Sequence, residues 1–297
     1  MRYAIGLDIG VTNVKAVGVT PAGEVVFRES FETRSNSPEW PGRVKSQLAE
    51  MEQRNGIAQA VGVAAPGLAA PDGSCIHWMQ GRLTEVQGLN WTKFLDRAEA
   101  VRVLNDAQAA LLGEVWQGAA RGAANVAMLT LGTGVGGALL VDGRLLKGHI
   151  GRAGHLGHIG LDVLGEKDIT NMPGSLEVKI GNYSLERRSG GQFKSTHDLV
   201  AAHLQGDALA SKVWLDSVEA LACGIASIIN IADPEVVIVG GGIAACGDAL
   251  FDPLDKGLSQ MEWRPHGHRV RIVPALLGEF AGALGAAWNA MREDDNA

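Results

Sequence analysis

Ile5-Gly6-Leu7-Asp8-Ile9-Gly10-Val11-Thr12-Asn13-Val14-Lys15 runs as an apolar strand into a small polar loop and emerges as a second apolar strand. Ile5, Leu7 and Ile9 alternate with small or polar residues at the period of a strand, and Val17 and Val19 resume that period beyond the turn. The stretch reads as a hairpin that holds phosphate. Gly10 stands at the bend, where glycine lets the backbone take positive φ and bring N–H groups close to an anion. Thr12 adds a hydroxyl donor and Lys15 a positive charge. Asp8 would repel an anion unless a divalent cation lay between them, which is how nucleotide-dependent phosphotransferases use an aspartate. Taken alone, the same residues describe a hairpin with an Asx-turn at Asp8 and a solvated Lys15. A second hairpin of the same kind, later in the chain, tips the reading toward phosphate.

Composition bounds the rest. The 297 residues are 46% hydrophobic, enough to bury a large core, and the length predicts two domains. A net charge of -7 argues against nucleic acid as a partner, because phosphate-backbone binding needs clustered Lys and Arg. The N-terminus enters the first strand at once, which leaves no room for a signal peptide, a transit peptide or an appended DNA-binding domain. No apolar run is expected to span a membrane, so the reading is a cytoplasmic protein. Cys75, Cys223 and Cys246 are far apart and lack Cys-x-x-Cys spacing, as expected of thiols in a reducing compartment.

In order, a third strand from Gly23 to Glu29 completes an antiparallel meander. A helix over Gly42 to Arg54 follows, with Val44, Leu48 and Met51 on one face, then a buried strand from Ala60 to Ala64. Ala65-Pro66-Gly67 closes that strand, and the chain to Leu95 reads as a long Gly-rich loop. Val101 to Leu104 form a short strand leading through Asn105-Asp106 into a helix over Ala107 to Ala119. Either Asn105 or Asp106 could be the N-cap of that helix, a common use of both residue types.

The opening meander then recurs. Ala127 to Leu131 form a strand, Gly132-Thr133-Gly134-Val135-Gly136-Gly137 a small polar loop, Ala138 to Val141 a second strand, and Asp142-Gly143 a turn. Gly132-x-Gly134-x-x-Gly137 also spells a dinucleotide fingerprint, but that motif needs a helix after the glycines and a strand follows here. After Leu146 the chain enters Gly148 to His158, and the polar stretch from there to about Thr196 resists assignment. Helices dominate from Asp198, the longest being Ala208 to Ile231. Glu235 to Val239 is a buried strand running into Gly240-Gly241-Gly242, Val270 to Pro274 a last strand, and Phe280 to Met291 a small-residue helix. Three glycines between strand and helix let a planar or anionic ligand approach the backbone.

On these motifs the chain resembles the ROK family of sugar kinases, within the larger hexokinase, Hsp70 and actin-like ATPase group, over nearly its whole length. Asp8-x-Gly10-x-Thr12-x-x-Lys15 matches the first phosphate motif, Leu131 to Gly137 the second, and Asn105-Asp106 the sugar-binding Asn and catalytic Asp. Gly151-x-Ala153-Gly154-x-x-Gly157-His158 matches the signature stretch and Val239-Gly240-Gly241-Gly242 the adenosine-side glycines. The resemblance implies an α/β protein of two RNase H-like lobes around a central cleft. One lobe covers residues 1–119 and the other 120–297, the terminal helix at about 280–291 being able to pack back on the first.

It implies phosphorylation of a sugar hydroxyl by ATP with Mg2+, glucokinase-like at the 6-position, with Asp106 as general base. Phosphoryl transfer needs little covalent help, so a carboxylate that orients the hydroxyl and accepts its proton is most of what acid-base chemistry adds. By the same resemblance Gly67, Asn105, Asp106, His155, His158 and Glu177 contact sugar. Asp8, Gly10, Thr12, Asn13, Lys15, Gly132, Thr133, Gly134, Gly241 and Gly242 hold the nucleotide, with Asp8 on magnesium directly or through water, and a homodimer is implied. Alternatives are an N-acetylhexosamine kinase and a non-enzymatic regulatory or actin-like ATP-binding protein. Regulatory members carry an N-terminal DNA-binding domain, which argues against that reading.

Two departures stand out. His155 occupies the place of a sugar-binding glutamate, and neutral imidazole offers one acceptor and one donor where a carboxylate offers only acceptors. Asp168, Thr170 and Ser175 occupy the places of three zinc-binding cysteines, so no structural zinc is expected. His149, His155 and His158 are read as hydrogen-bonding rather than metal-binding residues.

Overall fold

The structure, a computed structural model, describes residues 2–81 and 83–292. The first elements are β1 (Ala4–Ile9), β2 (Asn13–Val19), β3 (Val25–Glu32), α1 (Trp40–Asn55), β4 (Ala60–Ala65), β5 (Leu68–Ala69), β6 (Ile76–Trp78), α2 (Trp91–Phe94), β7 (Arg102–Asn105) and α3 (Asp106–Gln117). There follow β8 (Val126–Leu131), β9 (Val135–Val141), β10 (Arg144–Leu145), α4 (Leu176–Ile180), α5 (Asn182–Arg188), α6 (Thr196–Leu204), α7 (Ala208–Ala232), β11 (Val236–Gly240), α8 (Asp248–Met261), β12 (Arg271–Pro274) and α9 (Ala281–Met291).

They fall into two compact units. Unit one comprises Met1–Gly122, Lys147–Ala153 and Leu276–Ala297, and unit two Ala123–Leu146 and Gly154–Ala275. Unit one holds a five-stranded sheet in the order β3-β2-β1-β4-β7, and unit two a five-stranded sheet in the order β10-β9-β8-β11-β12. In each, an antiparallel meander of three strands is extended by two parallel ones. β1 and β8 lie at the centre of their sheets, so their ends, where the two polar hairpins begin, are flanked on both sides.

Alternation explains which faces are buried. In unit one, Tyr3, Ile5, Leu7 and Ile9 point to a core with Val44, Leu48 and Met51 of α1 and with Trp40 and Trp91. The other face, with Ala4, Val17 and Val19, is covered by Ala283, Leu284 and Ala287 of α9. That helix lies very close, because a Cβ on Gly6 or Gly62 would overlap the carbonyl oxygens of Ala283 or Ala286, and one on Gly285 that of Ala109 in α3. Glu114 of α3, fully buried, accepts hydrogen bonds at 2.7–2.9 Å from the backbone N–H groups of Ala119, Leu276 and Leu277, holding the returning chain at the foot of α9.

The region read as a loop up to Leu95 contains the β5–β6 hairpin and α2, capped by Asn90. Trp91, fully buried, makes it part of the core. In unit two the core gathers around α7, whose Val218, Leu221, Ile225 and Ile228 are buried in one cluster with Leu129, Val237 and Val239 of the sheet. Contrary to the expectation from sequence, α7 is long and apolar enough to cross a membrane by length and composition, but half of that stretch is buried inside the unit.

Candidate active site

Unit one brings the first phosphate hairpin and the Asn105-Asp106 pair together. Asp8 and Lys15 lie directly opposite each other in the β1–β2 register. The loop between them closes with Gly10 N–H donating to Asn13 O at 3.0 Å. Gly10 does not adopt positive φ, contrary to the reading of the bend. Glycine is required there because a Cβ would lie 2.9 Å from Asn13 O. Thr12 and Asn13 are exposed at the tip. Thr33, buried beneath, donates through Oγ1 to Gly10 O at 2.6 Å, and its N–H donates to Thr12 O at 2.8 Å. Lys15 Nζ is paired with Glu279 at 2.6 Å.

Asp8 is mostly enclosed. Its carboxylate lies against Gly282 in the first turn of α9, where a side chain would overlap it. Burial first and the neighbouring Asp106 carboxylate second raise its pKa from 3.8 to about 7, against the opposing pull of Lys15. Two carboxylates therefore share one small region of unit one.

Asn105 rather than Asp106 is the N-cap of α3. Its Oδ1 accepts from Ala107 N–H at 3.0 Å and Gln108 N–H at 3.4 Å, and Gln108 Oε1 accepts from the Asn105 N–H, completing a capping box. Asn105 Nδ2 donates to Gly67 O at 3.0 Å. Gly67 has φ +105°, and a Cβ on it would meet Trp78 O at 2.6 Å, so the turn that receives Asn105 admits only glycine. With capping done by its neighbour, Asp106 is the first residue of α3, exposed, its Oδ1 accepting from Ala107 N–H at 2.8 Å. The helix N-terminus favours the ionised form of a carboxylate so placed.

Unit two carries the second hairpin. Gly132 N–H donates to Gly134 O at 2.9 Å, while Asn182 N–H and Tyr183 N–H at the start of α5 donate to Gly132 O and Thr133 O at 3.0 Å. Thr133 is exposed. Glu177 Oε2 accepts from Val135 N–H at 2.9 Å and lies where a side chain on Gly134 would have to go. Gly241, at φ +86° and ψ 174°, abuts Leu131 O at the root of the hairpin, whereas Gly242 has open space around it. The fold thus joins Gly132, Thr133, Gly134, Glu177, Gly241 and Gly242 in one region.

His155 is half-buried and opens the 3-10 turn Leu156–His158, which its ring does not cap. His158 Nδ1 lies 2.7 Å from Oδ2 of Asp168, whose side chain is fully buried. Asp168 Oδ1 accepts from Thr170 N–H and Oγ1 at 2.8 Å and from Met172 N–H at 3.0 Å, and Ser175 also bonds the carboxylate. Burial pushes this carboxyl up, but the bonds from His158, Thr170 and Ser175 outweigh it and bring the pKa down to about 2. The residues in the cysteine places therefore converge, through hydrogen bonds. They do not fit zinc, since hydroxyls are poor ligands and the carboxylate oxygens are already occupied by donors. Among the described residues no group of three or more His, Cys, Asp and Glu could hold a metal ion. His149 belongs to unit one, and His155 and His158 to unit two.

A family model described as the ROK family matches residues 4–293. The chain belongs to the ROK family. This ROK chain is 28% identical to a glucokinase of Halalkalibacterium halodurans, over 99% of its own length and 97% of that protein. Among solved structures it resembles a ROK hexokinase from Thermus thermophilus, with a TM-score of 0.84, 28% identity and 97% of each chain covered. It also resembles a ROK family glucokinase from Streptomyces griseus in complex with glucose and AMPPNP, with a TM-score of 0.80, 25% identity, and 97% and 99% of the two chains covered. The fold of the ROK chain is the actin-like ATPase fold of these structures.

Sequence reasoning missed Thr33, Glu279 and Gly282. The last had a signal, since glycine within a small-residue helix marks a close approach. Thr33 and Glu279 had none.

Proposed function

We propose that this ROK chain is an ATP-dependent sugar kinase, a glucokinase-like hexose kinase acting at the 6-hydroxyl, with Asp106 as general base. The observation that carries the proposal is the division of labour at the start of α3. Asn105 caps the helix and binds Gly67 O, and Asp106 stands exposed at the first position of α3, where a carboxylate can accept from a substrate hydroxyl. Similarity to glucokinases, one of them in complex with glucose and AMPPNP, supports the same reading.

The donor set of unit one fits magnesium. Asp8 and Asp106 offer hard carboxylate oxygens, and their mutual repulsion is what a divalent cation would relieve. Bound there with nucleotide, the cation would neutralise charge on the transferring phosphoryl group. Asp8 is the residue that would hold it, while the backbone around Gly10, Thr12 and Asn13, with Gly132, Thr133 and Gly134 in unit two, would receive phosphate. By the family resemblance Gly241 and Gly242 would serve the adenosine, and Asn105 of unit one with His155, His158 and Glu177 of unit two would serve the sugar. The enzyme is read as cytoplasmic and homodimeric, the latter measurable by sedimentation.

The test is a coupled ADP-release assay across a sugar panel with ATP and magnesium. Glucose or mannose as preferred acceptor is the expected result. Preference for an N-acetylhexosamine would move the assignment to the alternative substrate class, and no sugar-dependent ADP release would defeat it.

A further inference from the structure

In place of a metal, a single buried carboxylate organises the signature loop of unit two, and its contact with His158 has a chemical consequence. We propose that Asp168 is a positioning residue that fixes His158 as the Nδ1–H tautomer, so that Nε2 presents a hydrogen-bond acceptor to a sugar hydroxyl. The proposal rests on the reading of His158 as a sugar contact.

The geometry is a chain of obligatory roles. Asp168 Oδ1 faces three donors, Thr170 N–H, Thr170 Oγ1 and Met172 N–H, at 2.8–3.0 Å. Oδ2 faces His158 Nδ1 at 2.7 Å. An ionised carboxylate only accepts, so Nδ1 must carry the hydrogen. In the neutral ring the remaining nitrogen, Nε2, is then an acceptor. The carboxylate cannot turn away, because its side chain is fully buried and the Asp168 N–H donates to Met172 O at 3.0 Å, closing the turn on itself. Ser175 is doubly engaged, bonding Asp168 and accepting from Val178 N–H as the N-cap of α4, the helix that bears Glu177. The same carboxylate therefore sets the imidazole and seats the helix that follows.

Asp168→Asn separates these roles without changing shape. Three loop donors claim the amide oxygen against one histidine, so the new NH2 group turns toward His158 Nδ1. Nδ1 must then accept, and the hydrogen moves to Nε2, turning an acceptor into a donor. The loop keeps the bonds from Thr170 and Met172.

The experiment has two arms. The first is nitrogen NMR of the His158 imidazole at a pH where the ring is neutral. Wild-type protein should show Nδ1–H and the Asp168→Asn variant Nε2–H. An Nε2–H ring in wild-type protein overturns the proposal even if the variant fails to fold, and this arm needs no enzymatic activity. The second arm measures sugar affinity by calorimetry and KM for sugar and ATP, using the best acceptor of the panel. A mismatched buried hydrogen bond should raise the sugar Kd and KM by about tenfold to a hundredfold, with the ATP KM within about twofold. Equal losses for sugar and ATP, or an unchanged sugar affinity, overturn it. A chain that phosphorylates no sugar but shows the expected tautomers would instead defeat the kinase reading and leave the Asp168–His158 anchor standing.

Discussion

The two sheets share one strand order, yet the hairpins at the ends of their central strands are furnished in opposite ways. The hairpin of unit one carries Asp8 and Lys15, is pinned from below by Thr33, and has a second carboxylate, Asp106, near it. The hairpin of unit two has no charged residue in its loop, is tied by its carbonyls to α5, and is braced by Glu177. A repeated scaffold has been divided between charge and backbone. On the proposed function, unit one supplies the groups whose protonation and cation binding matter, and unit two supplies neutral donors that position.

Removing charge from unit one should therefore cost turnover. Asp106→Asn keeps the size of the side chain, and Asn105 still caps α3, so folding and ATP binding should persist while kcat falls about a hundredfold to ten-thousandfold. Steady-state kinetics beside a calorimetric ATP titration check this, and turnover within a few-fold of wild type would place the chemistry elsewhere. The matching change in unit two, Thr133→Val, should raise the ATP KM by about threefold to tenfold through loss of one hydroxyl donor. Equal kcat losses from the two substitutions would erase the contrast.

Asp8 sharpens the contrast through pH. Its folded-state pKa lies above the ordinary 3.8, at about 7, so it contributes stability that is complete below pH 4 and lost as pH rises through 7. Without nucleotide or divalent cation, Asp8→Asn should then stabilise the protein at pH 8 by roughly 1–3 kcal/mol and by little at pH 4. It should also abolish most magnesium-dependent turnover while leaving sugar affinity nearly unchanged. Thermal melts at the two pH values decide, and parallel shifts at both would mean that Asp8 is not the strained carboxylate.

On the neutral side, Gly241→Ala forces a side chain into a glycine-only conformation against Leu131 O and should cost about 1–3 kcal/mol in a urea titration. Gly242→Ala, with open space around it, should stay within about 1 kcal/mol. A small effect is also expected from Thr33→Val, which removes the bond to Gly10 O for about 0.5–1.5 kcal/mol. If it changed the ATP KM more than Thr133→Val did, support from below would matter more than contact at the tip.

The meanders and the helices with one apolar face were legible because period and turn residues are local signals. Asn105-Asp106 was legible as a pair, but which of them caps α3 depends on Gln108 and Gly67, and the latter is brought close only by the β4–β7 pairing. The region before Leu95 looked irregular because its packing residue, Trp91, sits on a helix of four residues, too short to show a period. The signature loop was opaque for a related reason. Its order comes from bonds converging on one aspartate rather than from any repeat. Thr33 and Glu279 reach the first hairpin from other parts of the chain, and no spacing rule foretells that.

The helix that follows the last strand of unit two belongs to unit one, where glycines receive it. Translation proceeds from the N-terminus, so the early strands leave the ribosome with the seat of α9 empty. Gly6, Gly62 and Gly113 line that seat as bare backbone until residues 281–291 arrive. The segment that completes unit two, by contrast, ends at Ala275, before α9 has been made. Order of synthesis and order of closure are thus inverted. The unit begun first is the last to be sealed, and the carboxylate at Asp8 acquires its wall only with Gly282, near the end of the chain.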